Sequence, residues 1–64
     1  MKLQVYEVVV HSALHPDNKD YYEERDFFFS KKLAKAWARA TAKLQFAQYK
    51  QPYRVKFFKK NYSS

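Results

Sequence analysis

Cations and aromatic rings alternate near the end of the chain in a pattern that could bind a polyanion. In the segment PYRVKFFKKNY, every second residue is basic or aromatic: Arg54, Lys56, Phe58, Lys60 and Tyr62. Because alternate residues of a β-strand point to the same face, a strand here would present these side chains together. Lysine and arginine neutralise phosphates and exposed rings stack on bases, as in sheet-based readers of single-stranded nucleic acid.

A second basic group lies in the Lys-rich segment that precedes this strand. At 100° per residue, a helix groups four cations and one ring on the side opposite Leu33: Lys35, Arg39, Lys43, Phe46 and Lys50. Phe46 would then stand among cations rather than in the core. The alternative is that Phe46 folds over a neighbouring loop or edge strand and that the lysines only solvate the helix.

Acidic residues are confined to the first part of the chain. All six Asp and Glu precede Phe27, whereas ten of the thirteen Lys and Arg follow Ser30. Paired carboxylates can perform acid and base catalysis or bind a divalent ion, but Glu24 and Asp26 share one strand face without a third suitably spaced ligand. We therefore expect Glu23, Glu24 and Asp26 to face cations of the helix or of a second subunit.

No residue pattern indicates catalysis or a bound cofactor. His11 and His15 have the spacing of two ligands on a helix, but Pro16 places them at a strand end and a loop. Structural zinc sites use four ligands, usually including Cys, and this chain has none. Because it also lacks glycine, neither a P-loop nor a dinucleotide-binding turn is available. We predict a protein that is not an enzyme and has no metal site or cofactor.

Length, composition and charge indicate one small, folded, basic domain. The chain has 64 residues, of which 47% are apolar and 20% aromatic, with a net charge of +7 and a pI of 9.8. This charge favours nucleic acid, DNA or RNA, or an acidic surface of a host protein as partner. The apolar runs are far shorter than the roughly 20 residues of a membrane span. We expect no membrane partner and a cytoplasmic location, in a host cell if the protein is viral.

The elements that must position the basic and aromatic residues follow the order β, β, α, β. Residues 2–14 carry apolar side chains on both alternate rows, which is typical of a central strand. After the turn HPDNKD, a second strand is expected at about 20–29. Ser30 is a good N-cap for a helix over about 31–50, which Pro52 ends, and a third strand covers about 53–62.

The predicted fold class is α+β, with a single domain in which one helix packs on a three-stranded antiparallel sheet of order 2-1-3. We expect one apolar stripe of the helix to face the sheet, with Trp37 at the centre of the core: Leu33, Ala36, Trp37, Ala40, Leu44 and Ala47. The other face of the sheet stays open. Tyr6 joins the basic and aromatic row if its own strand row shares that face.

The stretch FFFSKKLAKAW resembles the junction between strand and helix in the arm-binding N-terminal domains of phage-type integrases. Those domains place three strands before the helix, whereas YRVKFF follows the helix here. Most of the chain, with VYEV, a loop, a strand, FS, an Ala-rich helix and YRV, is similar to small orphan proteins of bacterial viruses. This resemblance implies an accessory protein of a mobile element that acts on nucleic acid or on a host protein.

Two functions therefore stay open at the level of the sequence. The first is nucleic-acid binding through the basic and aromatic surface of the helix and the third strand. The second is an accessory protein that binds and modulates a host protein, as a homodimer formed through the open sheet face. Exposed aromatic side chains on an uncovered sheet are compatible with both.

Overall fold

A computed structural model describes residues 2–63 and contains one three-stranded antiparallel sheet with a helix on one face. Its elements in chain order are β1 (Lys2–Ser12), β2 (Glu23–Phe28), α1 (Lys31–Gln45), a short 3₁₀ helix (Ala47–Tyr49) and β3 (Tyr53–Ser63). The strand order is β2-β1-β3, with β1 in the centre. The predicted α+β class and ββαβ order are confirmed.

Several element boundaries differ from those expected. β1 ends at Ser12 rather than residue 14, and β2 begins at Glu23 rather than near residue 20. α1 ends at Gln45, because Phe46 already leaves the helical conformation with φ −131° and ψ −58°. The 3₁₀ helix that follows ends at Tyr49, and its C-cap residue Lys50 has a φ of 58°, in the left-handed region that usually favours glycine.

α1 begins where its capping residue predicts. The backbone of Ser30 is extended, with φ −122° and ψ 129°, and its hydroxyl accepts a hydrogen bond from the Leu33 amide at 3.4 Å. This contact satisfies one of the amides that the first helical turn leaves without an intrahelical partner. Ser30 therefore sets the point at which the chain turns from β2 onto the sheet.

The strand register decides which side chains share a face. Directly opposed residues of antiparallel strands lie on the same face, and Val8 of β1 stands opposite both Asp26 and Phe57. Val8 and Val10 are fully buried against α1. The even-numbered residues of β1 and β2 and the odd-numbered residues of β3 thus lie on the helix side. The opposite side, called the open face here, carries the odd-numbered residues of β1 and β2 and the even-numbered residues of β3.

A small core fills the space between α1 and the sheet. It consists of Val8, Val10, Ala34, Ala38, Ala42 and Phe46. The ring of Phe46 stacks on Tyr53 at 5.7 Å between centroids and contacts Tyr22 at 6.0 Å. Trp37 is half-buried against Phe28, and α1 lies over β1 and β2 rather than over β3.

The predicted core stripe of the helix is wrong. Leu33 and Leu44 are 60% and 59% exposed, and Ala36, Ala40 and Ala47 are exposed as well. The buried residues of α1 form the neighbouring sector instead: Ala34, Ala38, Thr41 and Ala42. The sheet and Phe46 supply the bulk of the core, so only small side chains fit where the helix approaches the sheet closely. Trp37, expected at the core centre, lies on the border between the two sectors.

Candidate nucleic-acid interface

The open face of β3 carries the alternating row of cations and rings. Its five members are Arg54, Lys56, Phe58, Lys60 and Tyr62. The side chains of Phe58 and Tyr62 are 44% and 51% exposed. No helix covers this side of the described sheet, residues 2–63. The structure thus places all five residues together on one accessible strip, as the alternation in the sequence predicts.

The helical cations do not join this strip. Lys35, Arg39 and Lys43 are exposed on α1, which lies on the opposite side of the sheet, and Lys50 is exposed in the segment between the 3₁₀ helix and β3. Because Trp37 packs towards β2, the helical repeat directs Lys35 and Arg39 towards the β3 side of α1. Both cations thus point towards the β3 side of the molecule, but they do not share a flat surface with its open row.

Phe46 is not exposed, which corrects its predicted position among the cations. Only 1% of it is accessible, and it belongs to the core. A helical wheel extended to residue 50 misplaces Phe46 because regular helix ends at Gln45. Tyr6 also lies away from the open face: it packs against the core on the helix side, and its hydroxyl donates to Gln4 Oε1 at 3.3 Å.

The structure adds Phe27 of β2 to the open face, beyond the residues that the sequence pattern predicts there. Phe27 and Phe58 both stand opposite Glu7, one on each side of β1, and Phe27 is 52% exposed. Leu3, 47% exposed, stands opposite Tyr62 and extends the apolar part of the face. The alternation within β2 places Phe27 on the same strand face as Glu23 and Arg25. Only the register of β2 against β1 shows that this face is the open one.

Glu7 is a nearly buried carboxylate at the centre of the open face. Its exposure is 7%, and cations from both flanking strands neutralise it. Lys60 Nζ lies 3.2 Å from Glu7 Oε1, and Arg25 Nη1 lies 3.5 Å from Oε2. The Lys60 ammonium also stands 5.7 Å from the centroid of the Phe27 ring. Glu7 therefore joins the three strands without leaving an uncompensated negative charge on this face.

Two cations of the open row have no carboxylate partner within residues 2–63. Arg54 and Lys56 are exposed and form no salt bridge there, whereas Lys60 and Arg25 are paired with Glu7. Arg25 also donates to Glu23 at 3.1 Å, and this hydrogen bond raises the pKa of its guanidinium. Arg54 and Lys56 are thus the cations of the row most available to an external anion.

The acidic residues of β2 contact their own strand and the end of the helix. The Tyr22 hydroxyl donates to the Glu24 carboxylate, which raises the pKa of Tyr22 above its usual value of 10. Gln45 Nε2 donates to the same carboxylate at 3.5 Å. Within the described part of the chain, no salt bridge links Glu23, Glu24 or Asp26 to a cation of α1. The expected pairing with helical cations is therefore not observed in a single copy.

Neither a cluster of metal-binding side chains nor a membrane-spanning helix is seen among residues 2–63. No three His, Asp or Glu side chains converge there as they would around a metal ion. No helix in this range has the length and apolar character needed to cross a membrane. Comparison of the chain with protein-family models, with curated proteins and with solved structures finds no match.

Proposed function

We propose that the protein is a non-catalytic module that binds single-stranded nucleic acid on its open sheet face. The observation that carries this proposal is the strip of exposed Phe58 and Tyr62 beside Arg54 and Lys56, the two cations of the row without a carboxylate partner in the described part of the chain. Rings that stack on bases and cations that neutralise phosphates are the two components of sequence-tolerant single-strand binding. Both occur on one accessible surface here.

The dimensions of the face suit a strand whose bases lie flat on the sheet. Phe27 and Phe58 are separated by two strand spacings, about 10 Å, with Glu7 between them. Lys56 lies next to Phe58 on the same row and Arg54 lies one position beyond Lys56, and neither cation has a carboxylate partner within residues 2–63. Bases stacked on the rings would leave the phosphates to run along β3. The helical cations Lys35 and Arg39, which point towards the β3 side of α1, add positive potential that attracts the strand.

Substitution of one ring tests this placement. We expect Phe58→Ala to weaken binding to a single-stranded oligonucleotide by about 1–3 kcal/mol, or roughly fivefold to 150-fold, because a stacked base loses its ring partner. Phe57→Ala is the matched control, since Phe57 is the adjacent residue, is 49% exposed and lies on the helix side. Fluorescence anisotropy with labelled oligonucleotides of mixed sequence measures both variants. Equal affinities of the two folded variants would contradict stacking on Phe58.

A salt titration tests the phosphate contacts separately. For single strands, the logarithm of the binding constant falls with the logarithm of salt concentration with a slope of about −0.7 per neutralised phosphate. We expect a steep loss of affinity with salt, and a smaller slope for Arg54→Ala and Lys56→Ala. Absence of binding at low salt would overturn the proposal and favour a host protein as the partner of the open face. Tighter binding to a duplex would argue against stacked bases.

A further inference from the structure

The side of α1 that points away from the sheet carries an apolar stripe that residues 2–63 of the same copy leave largely uncovered. It consists of Leu33, Ala36, Trp37, Ala40 and Leu44, which repeat at the i, i+3, i+4 spacing of a packing face. Leu33 and Leu44 are 60% and 59% exposed, and Phe29 just before the helix is 74% exposed. We call these five helical residues the outer stripe. Contiguous apolar surface of this kind marks interaction sites in soluble proteins.

Charges of opposite sign border the outer stripe on its two sides. Trp37 is the member nearest β2, as its contact with Phe28 shows, and the helix-side residues of β2 beside it include Glu24 and Asp26. Beyond Ala36, on the other border, the helical repeat places Lys32 and Lys43. The stripe is therefore an apolar strip with an acidic margin on the β2 side and a basic margin on the β3 side.

We propose that the outer stripe binds a second copy of this chain, with the two α1 helices packed side by side and parallel. The identity of the partner follows from charge complementarity. Each copy carries one acidic and one basic margin beside its outer stripe, so a second copy can set a margin of opposite charge against each of them. The small side chains of Ala36 and Ala40 let two helix backbones approach, while Leu33, Trp37 and Leu44 supply apolar area.

Symmetry decides the direction of the helices. A two-fold axis parallel to the helices sets the acidic margin of each copy against the basic margin of the other. A two-fold axis perpendicular to the helices, which makes them antiparallel, sets acid against acid and lysine against lysine. Parallel pairing therefore brings Lys43 of one copy towards Glu24 and Asp26 of the other. It also gives the acidic residues of β2 the cationic partners that α1 of their own copy does not provide.

This dimer leaves both open faces free, so it is independent of the proposed nucleic-acid site. The outer stripe belongs to the helix layer, whereas Phe58 and Tyr62 lie on the other side of the sheet. Two copies joined through α1 would present two open faces directed away from the interface. Failure of one proposal leaves the other standing.

The mass in solution, measured by light scattering after size-exclusion chromatography, tests the dimer. Nuclease treatment excludes bridging by nucleic acid, and loading concentrations from about 1 µM to about 1 mM at moderate salt populate dimers with dissociation constants up to the millimolar range. We expect a particle of twice the mass of the 7.8 kDa chain. A particle of single-chain mass at every concentration would overturn the proposal.

Two leucine variants distinguish the outer stripe from the open face. Leu44→Glu should halve the mass while the chain stays folded, because Leu44 contributes little to the core of its own copy. Leu3→Glu, at an exposed leucine of the open face, should leave the mass doubled. If circular dichroism shows that the Leu44→Glu variant does not fold, Ala40→Glu provides the same test of the outer stripe. Dissociation by Leu3→Glu alone would place the dimer on the open face and overturn the proposal.

Oxidative cross-linking tests the parallel direction, since the chain has no cysteine of its own. Leu33→Cys places one thiol near the start of each stripe. In a parallel pair these thiols face each other and should form an interchain disulfide under mild oxidation. In an antiparallel pair, residue 33 faces Leu44 of the other copy, and the thiols stand about 16 Å apart, too far to bond. A doubled mass without cross-linking would contradict the parallel arrangement.

Discussion

Phe46 holds together three parts of the molecule that are distant in the sequence. Its ring stacks on Tyr53 at the start of β3, contacts Tyr22 before β2, and is buried next to Ala42 of α1. It is the largest fully buried side chain among the described residues. Because Phe46 follows the last helical residue, it reaches the core from beyond the helix end and fills space that the alanines of α1 leave.

Replacement of the Phe46 ring should therefore destabilise the folded state strongly. We expect Phe46→Ala to lower the free energy of unfolding by about 3–5 kcal/mol through lost burial and a residual cavity. A domain of this size has a total stability of only about 3–10 kcal/mol, so the substitution should remove between about a third and all of that stability. Urea denaturation followed by Trp37 fluorescence measures this loss.

Tyr49→Ala is the control for Phe46→Ala, because Tyr49 is an aromatic residue three positions later that is 63% exposed. We expect its effect on the free energy of unfolding to stay within about 0.5 kcal/mol. Similar destabilisation by the two substitutions would contradict the assignment of Phe46 as the central core residue.

At the scale of elements, the sequence predicts which residues of β3 share a face. For α1 it predicts the helix and its start, but not the buried side. The period of two in β3 fixes which residues share a face, since one face of the sheet is covered. In α1, apolar residues occupy more than half of the circumference, and the pattern alone does not say which sector meets the sheet. Which sector of α1 is buried depends on how much core volume the side chains of the sheet and Phe46 already fill. That volume is known only from the packed structure.

The close approach of α1 to the sheet is itself testable. Ala34 is fully buried, whereas its neighbour Lys35 is exposed. We expect Ala34→Leu to destabilise the fold by about 1–3 kcal/mol, because the added atoms must push the helix from the sheet. Lys35→Leu introduces the same side chain one position later and should change stability by less than about 0.5 kcal/mol. Thermal unfolding by circular dichroism compares them, and an unchanged or raised melting temperature for Ala34→Leu would contradict close packing.

The whole molecule is a thin plate whose charge is unevenly distributed. Its Cα atoms extend over 42 × 24 × 11 Å. The acidic residues belong to β1, β2 and the loop between them, while α1, β3 and the segment joining them contain no carboxylate side chain. The segregation was evident in the sequence. The sheet order was needed to show that β2 and β3 lie on opposite edges, so that the charge difference runs across the plate.

This charge distribution predicts opposite effects of salt on folding and on binding. With a net charge of +7, the folded state is under self-repulsion that added salt screens, so the melting temperature should rise between about 10 mM and about 200 mM NaCl. Over the same range, affinity for oligonucleotides should fall. Calorimetry of the free protein measures the first effect. A melting temperature that falls with salt would show that attractive pairs, such as those around Glu7, outweigh the repulsion.

The carboxylate of Glu7 also bears on how β1 finds its alignment with its neighbours. A slip of β1 by one residue would exchange its two rows, moving Val8 towards solvent and Glu7 into the hydrocarbon beneath α1. A carboxylate in that position would lose both Lys60 and Arg25, and a lone ion in such surroundings is strongly disfavoured. Because β1 has valines on both rows, its valines alone do not determine which row faces α1. The single carboxylate of Glu7 in the middle of β1 therefore disfavours the shifted register.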